Sequence, residues 1–360
     1  MKKTVPSVEA RPTANDLARA AGVSLATVDR VLNARPGVRS ATVEKVNKAI
    51  ADLGYVRDST AANLARRRVY NLLFILPQTS NEFVKALEEQ IALQSAKLLH
   101  HRTSISKRLV PLFDPQAIVE TLDALDPAQT DGVAVFGPET PAVRDAVKRT
   151  RARGIAIVSL VADLPSSDRN YYVGIDNVAA GRTAAQLMGR FLNRAGRVLV
   201  ITGSRLARDH LERRKGFDET IAGNFPELVV TASVEGRDDP QLIRTLLPDV
   251  ISSYPDLCGI YSSAAGNSGL IEFLKETGLH NDLVVIAHEL TSSSRAALEQ
   301  GVFDAIISQD TGHLVRSTIR LLKATADNMD IDHTQERIRI DVYLKENMPS
   351  DTRDKREEAP

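Results

Sequence analysis

A single cysteine, Cys258, stands in 360 residues, which excludes an intramolecular disulfide and, alone, a thiolate metal site. It lies in the apolar run "LCGIY", where a free thiol behaves as a small buried hydrophobe. No apolar run approaches the ~20 residues that span a bilayer, so no membrane segment is predicted. The opening "MKKTVPSVEARPTAND" has two lysines but no apolar block behind them, so no export signal is expected and the protein is placed in the cytoplasm. Enzyme signatures are missing as well: there is no Gly-x-Ser-x-Gly elbow, no Walker loop, no His-Glu-x-x-His and no Gly-x-Gly-x-x-Gly. "AAGNSG" after a strand pattern is too poor in glycine for a dinucleotide loop. No catalytic residue, cofactor or metal is therefore expected.

Net charge is also lacking, with 46 basic and 46 acidic residues, but the balance conceals an asymmetry. Residues 1–68 hold 13 Lys and Arg against 6 Asp and Glu, a net +7, so the rest of the chain carries −7. A basic module joined to an acidic body is expected where only the first part meets a polyanion, and equally where a basic face is simply solvated. Hydrophobic content of 43% with 26% charged residues is ordinary for a soluble globular chain, long enough for two or three domains.

Caps and spacing predict three helices in the first segment. Thr13 with Asp16 three residues later forms a capping-box pattern, Leu17, Ala18 and Ala21 make one apolar stripe, and Gly22 stops the helix. Ser24 caps a second helix with Val28, Val31 and Leu32 inward, which turns Leu25, Ala26, Asp29, Arg30 and Asn33 outward. Ser40 starts a third, with Val43, Val46, Ile50 and Leu53 inward and Gly54 at its end. Helix, tight turn, helix and supporting helix make a helix-turn-helix.

From Val69 the period changes. Nine strand-length runs, "VYNLLFIL", "GVAVFG", "IAIVSLV", "YYVGI", "RVLVITG", "LVVTASV", "GIYSS", "LVVIAH" and "FDAIIS", alternate with helical patterns such as "FVKALEEQIALQSAKLL" and "HLVRSTIRLLKAT". Continuous Val/Ile runs are strands buried on both faces, and strict alternation predicts parallel sheets with helices on both sides. Nine strands over ~270 residues predict two doubly wound lobes. The expected division is a headpiece over 1–56, a linker over 57–68, a body over 69–345 and a polar, unstructured tail over 346–360. Within the body the N-lobe takes about 69–176 and 310–326, and the C-lobe about 177–309 and 327–345.

"TANDLARAAGVSLATVDRVLN" followed by "VRSATVEKVNKAIADLGY" resembles the LacI/GalR family of bacterial transcription regulators. "YYVGIDNVAAGRTAAQLMGRFL", "ERRKGF" and "IISQD" extend the likeness over nearly the whole chain, toward the sugar-binding fold of periplasmic binding proteins of type I. The resemblance implies that Ser24, Thr27 and Asn33 contact phosphate and that Leu25, Ala26 and Arg30 face base edges. Their chemistry agrees: a capped helix N-terminus attracts phosphate, Arg donates bidentately to guanine, and Ala touches a thymine methyl. One such helix reads half a site, so a dimer on a pseudo-palindromic operator is implied. "RDSTAANLARRR", 57–68, matches a hinge helix that folds on DNA, with Leu64 as its minor-groove wedge; free in solution, so short a helix is marginal. The chain departs from the family in lacking Pro-Asn near Arg57 and Asp58, and in having Ala62 where a polar residue is usual.

In the body, polar pairs common among sugar-binding relatives are replaced by Val161 and Ala162, by Ala264 and Ala265, and by His288 and Glu289. The groups expected to hold the ligand are Asn81 and Phe83 after the first strand, Asp176 at the first crossover, and Arg213, Asn267, Glu289 and Gln309. Amides, carboxylates and a guanidinium read sugar hydroxyls, and an aromatic face stacks on the ring. His288 is expected to be a neutral core histidine.

The implied function is a sequence-specific regulator, a repressor of carbohydrate uptake or catabolism, released from its operator when a sugar or polyol enters between the lobes. The alternatives are a solute-binding body for transport, or a ligand that promotes DNA binding. Asp29 replaces a family serine that touches phosphate, and three roles compete for it. It favours its helix's N-terminal end and neighbouring Arg19 or Arg30, it accepts from a cytosine amine, or it repels phosphate.

Overall fold

In the computed structural model, residues 12–32, 36–53, 55, 68–332 and 334–349 are described, and they divide into two compact units at Arg68/Val69. Unit one contains α1 (Ala14–Ala21), α2 (Leu25–Leu32) and α3 (Ser40–Leu53). Thr13 Oγ1 accepts from the Asp16 amide at 3.3 Å while Asp16 accepts from the Thr13 amide at 2.9 Å, and Gly22, at φ 65°, closes α1. Leu17, Ala21, Val28, Val46 and Ala49 form the core. Leu53 departs from expectation: it is exposed, and Ala49, one turn earlier, takes the buried position. Asn33, Gly54 and the 57–68 segment with Leu64 lie outside the described residues, apart from Arg68.

Unit two begins with β1 (Tyr70–Gln78), α4 (Glu82–Leu98), β2 (Thr103–Pro111), α5 (Pro115–Asp123), β3 (Gly132–Val135), α6 (Pro141–Ala152), β4 (Ala156–Leu160) and β5 (Tyr171–Val173). These strands form an all-parallel five-stranded sheet ordered β2-β1-β3-β4-β5. The chain then enters a second sheet through α7 (Asn177–Phe191), β6 (Gly196–Thr202), α8 (Arg208–Asn224), β7 (Leu228–Val230), β8 (Val234–Glu235), α9 (Pro240–Ser252), β9 (Leu257–Ser262), α10 (Asn267–Thr277), β10 (Val284–His288), α11 (Ser292–Glu299) and β11 (Ala305–Ser308). α12 (Thr311–Ala326) returns to pack on β3 and β4 of the first sheet, and β12 (Asp341–Tyr343) ends antiparallel on β11. The second sheet runs β12-β11-β10-β9-β6-β7, with β8 also on β6. This is the doubly wound architecture of two lobes expected from the alternation.

Three strand assignments change. β2 was not anticipated because it is an edge strand whose middle, Ser106 to Leu109, faces outward, so it offers no continuous apolar run. β12 is three half-buried residues, too short to register as a pattern. "LVVTASV" divides into β7, registered on Gly196–Val198 of β6, and β8, registered on Ile201 and Thr202 of the same strand. At the start of the expected tail, Lys345–Asn347 form a helical turn, tied by Asn347 to the Leu344 amide and Val342 carbonyl at 2.7 and 2.9 Å, and residues beyond 349 lie outside the described residues.

β3, β4 and β9 are buried along their whole length, as strands covered on both faces must be. One crossing in the second lobe is unusually close. A Cβ on Gly181 of α7 would lie 1.9 Å from the Arg213 carbonyl, and one on Gly216 of α8 would lie 2.0 Å from that of Val178. Two glycines thus let the helix backbones touch, which fixes the height at which Arg213 leaves α8. Among the described residues, no helix is long and apolar enough to cross a membrane.

Candidate functional site

Unit one presents the outward face of α2. Leu25 is 48% exposed, Ala26 and Arg30 are exposed, and Thr27 and Asp29 are half-buried. Ser24 Oγ accepts from the Thr27 amide at 3.1 Å and shares a 2.9 Å hydrogen bond with its hydroxyl, so both polar side chains stand at the helix N-terminus. There the backbone's unpaired N–H groups favour an anion. Arg19 is engaged by Asp16 at 3.2 Å on the exposed side of α1.

In unit two, loops leaving the C-terminal ends of strands in both sheets line a cleft that is partly open to solvent. Of the seven expected ligand residues, it is lined by Asn81, Phe83, Arg213, Asn267 and Glu289. Asn81 Oδ1 accepts from the Phe83 amide at 2.8 Å, capping α4 and aiming Phe83 inward. Arg213, 3% exposed, donates from Nε to Asn177 Oδ1 and from Nη1 to the Ser263 carbonyl, both at 2.9 Å, and faces Glu289 Oε1 at 3.5 Å. Asn267 accepts from Ser262 Oγ at 2.7 Å and donates to the His288 carbonyl at 3.1 Å.

The other two take different places. Asp176 is exposed and accepts from the Ala179 amide at 2.8 Å; it is the N-cap of α7 and does not line the cleft. An Asp just ahead of a helix is a cap before it is a ligand. Gln309 lies behind the wall, where its Nε2 donates to Glu289 Oε1 at 2.9 Å and its amide faces Oε2 at 3.4 Å. It orients the carboxylate rather than meeting the cleft.

His288 also lines the cleft. It is 1% exposed, its Nε2 is 2.8 Å from the Tyr261 hydroxyl, and its Nδ1 is buried without a partner among the described residues. Burial, with Arg213 and His210 adding to it, holds its pKa well below the ordinary value, so the ring is neutral as expected. A Tyr hydroxyl donating to Nε2 leaves a free Nδ1–H, whereas the other tautomer strands two groups, the hydroxyl proton and the Nδ1 lone pair. The first leaves fewer buried groups unsatisfied. Beneath it Tyr261 stacks on Phe217 with centroids 4.5 Å apart.

Sequence reasoning passed over Asp209, His210 and Asp238, all in the lining. Asp209 could have been found, since it lies four residues before Arg213 on one helical face. Asp238 could not, since it hangs on a loop where Arg237 and Asp238 both adopt left-handed backbone, at φ 51° and 58°. A second compartment of about 520 Å³ adjoins the first through Asn81, Phe136, Asp209, His210 and Asp238, and is walled by Pro77, Val84, Val110, Phe113, Ile118 and Ala207. Across the mouth, Glu82 of α4 accepts from Ser293 Oγ at 2.6 Å, and Glu139 accepts from Arg208 at 3.2 Å. Burial alone would raise the Glu82 pKa, but hydrogen bonds from Ser293 and Thr291 hold it below the usual range.

Comparison with known proteins finds a match for each unit. Residues 72–329 match the periplasmic binding protein domain, and residues 13–58 match the bacterial regulatory proteins of the lacI family. The HTH-type transcriptional regulator GntR of Pseudomonas aeruginosa is 28% identical over 59% of this chain and 59% of its own length. Catabolite control protein A of Staphylococcus aureus is 23% identical over 71% of this chain and 70% of its own. The chain thus spans about three fifths of the first regulator and somewhat more of the second. Among solved structures, an ABC transporter solute-binding protein from Burkholderia graminis in complex with D-arabinose has a TM-score of 0.71 at 23% identity, covering 79% of this chain and 98% of that one. GanP, a glucose-galactose binding protein from Geobacillus stearothermophilus, has a TM-score of 0.70 at 18% identity, covering 78% and 99%.

Proposed function

We propose, from the premise that this chain belongs to the lacI family of bacterial regulatory proteins and carries their periplasmic binding protein domain, that it is a cytoplasmic repressor released from operator DNA by a sugar or polyol. The single observation that carries the reading is the presence on one chain of an outward-facing recognition helix and a two-lobed cleft. A transport protein has use for the cleft alone; the headpiece favours regulation. The matched families bind and regulate rather than catalyse, and the cleft's polar groups are arranged to hold a ligand.

The working mechanism is a population shift. Ligand favours one relative setting of the lobes, and in a homodimer that setting disfavours seating of the two headpieces on adjacent half-sites. Arg213, Glu289, Asn267, Asn81 and Phe83 contact the ligand, with Gln309 behind Glu289. On DNA, Ser24, Thr27 and Asn33 hold phosphate, Leu25, Ala26 and Arg30 face bases, and Leu64 wedges the minor groove. For Asp29 the favoured role is repulsion of phosphate combined with support of its own helix's N-terminal end and of a neighbouring arginine, ahead of base reading. Asp29→Ser then tightens specific and non-specific binding alike, while loss of preference at one base pair per half-site would make it a reader.

Selection of sites from random DNA by the full-length protein tests the function. The expected product is a pseudo-palindrome, bound by the parent and discriminated less well by Leu64→Ala. Absence of any enriched sequence would remove the regulator reading.

A further inference from the structure

We propose that Asp209 and Asp238, set around His210 where the cleft's two compartments meet, form a second recognition centre that takes hydrogen-bond donors and turns anions away. The effector is then a polyhydroxylated compound without carboxylate or phosphate. The inference rests on reading the cleft as the effector site and adds to it the class of ligand.

Asp209 is 5% exposed, lines both compartments, and accepts no hydrogen bond among the described residues. Its nearest basic neighbour is His210 Nε2, at 3.6 Å. The His210 ring accepts from the Ser204 amide at Nδ1 (3.4 Å), which puts its proton on Nε2, toward Asp209. Asp238 accepts from the Ala265 amide at 3.2 Å. A Cβ on Gly203 would fall 2.4 Å from Asp238 Oδ1 and 2.5 Å from the His210 ring, so this glycine leaves the space in which the two groups meet. The left-handed pair Arg237 and Asp238 is the kind of strained backbone that persists where a side chain must be aimed.

An ionised carboxylate offers roughly four lone-pair sites. Two carboxylates with one amide donor and one imidazole between them are therefore short of donors, and in the cleft the remaining lone pairs are left to solvent or to a ligand. His288 adds a single neutral donor to the same cavity. Hydroxyl groups or an ammonium group on a ligand supply what is missing. An acid or phosphate brings further acceptors and a further negative charge. Arg213 offsets it only in part, since its charge is already faced by Glu289 and its Nε and Nη1 already donate to Asn177 and Ser263.

The test is thermal unfolding of the full-length protein, at constant ionic strength, with three groups of probes. These are neutral sugars and polyols (glucose, galactose, xylose, arabinose, ribose, inositol), amino sugars (glucosamine, galactosamine) and acids (gluconate, glucuronate, glucose 6-phosphate). Stabilisation is expected among the first two groups only, and which of them responds separates hydroxyl from ammonium recognition. Calorimetry with the responding compound should show at least tenfold weaker binding by Asp209→Asn and by Asp238→Asn, with ligand-free melting temperatures at or above that of the parent. A response to an acid, no response to any neutral or amino compound, or binding by both variants within twofold of the parent would each overturn the proposal. Arg213→Lys separates the two readings: if it loses binding while the Asn variants keep it, the cleft stands and the second centre falls; if all three keep it, the cleft is not the site.

Discussion

The two lobes place the same backbone device at the cleft and hang different chemistry on it. Val161 follows β4 in the first lobe and Glu289 follows β10 in the second; each has φ 65°, and each donates its amide to the neighbouring strand, to Val173 at 2.9 Å and to Ile307 at 2.8 Å. One carries an apolar side chain, 2% exposed, and the other a carboxylate. The first lobe otherwise contributes Phe83, Phe136, the cap Asn81, Ser80 and, at the mouth, Glu82, whereas the second contributes Asp209, His210, Arg213, Asp238, Asn267 and His288. Strained positions at strand ends are thus a property of the fold, while the chemistry hung on them differs: most of the charged side chains at the cleft come from the second lobe.

The comparison breaks most visibly at those two positions. Glu289→Ala leaves the Arg213 guanidinium buried without its carboxylate and should cost about 3 kcal/mol of stability. Val161→Ala deletes two methyl groups but relieves a β-branched side chain held at positive φ, and should cost only about 1 kcal/mol. Urea denaturation of the two variants checks the contrast; equal losses would mean that the carboxylate does no more than fill space.

Next in size is the helix crossing that sets Arg213. Gly181→Ala forces a Cβ into the Arg213 carbonyl, so α7 and α8 must separate, at about 1–3 kcal/mol. Because Arg213 moves with α8, ligand affinity should fall with stability. A variant that is destabilised but binds normally would separate the crossing from the site.

The polar lobe should also dominate the pH response. Burial raises the pKa of Glu289 and of Asp238, so each binds its proton more tightly when folded. Their contribution is full below their unfolded values and is lost as pH rises through the raised ones. Burial lowers that of His288 far below 6.5, so its contribution is present above pH 6.5 and lost as pH falls beneath it. Between pH 7.5 and 5.5 the histidine contributes a slope of up to about 1.4 kcal/mol per unit. The stability difference between the parent and His288→Gln, followed over that range, should carry this slope; a flat difference contradicts the buried neutral imidazole.

The smallest effect is expected at the mouth. Glu82→Gln weakens the bond from Ser293 across the lobes by about 0.5–1.5 kcal/mol. A few-fold loss of ligand affinity with little change in melting temperature is expected, because the bond matters only when the lobes are together. A melting temperature lowered as far as in Glu289→Ala would instead make Glu82 part of the folding core.

How much of this was legible follows from what each part depends on. The parallel sheets were written in continuous Val/Ile runs such as "VLVIT", and the headpiece in caps such as Thr13 with Asp16, because both signals are local. β2 escaped because an edge strand with Lys107 and Arg108 outward has no apolar signature. Arg213, Asn267 and Glu289 can be placed near the cleft from sequence because they sit beside strand ends or on a helix face. Asp176 lies outside its lining because capping draws an Asp to the same place as ligand binding would, and Gln309, which follows β11 as Glu289 follows β10, is turned behind the wall by its bond to the Glu289 carboxylate. Asp238 depends on two successive left-handed residues, and the Gly203 space that admits it belongs to another loop; neither is written in a stretch of sequence.

The central claim, that occupancy of the cleft is read by the second lobe and felt at the DNA, is tested most directly by one titration. Full-length protein is bound to its selected DNA site, the compound found by thermal screening is added, and DNA release is followed by fluorescence anisotropy for the parent and for Arg213→Lys. The account predicts at least a tenfold fall in DNA affinity for the parent and little change for the variant. A compound that binds the parent by calorimetry yet leaves its DNA affinity unchanged would contradict it.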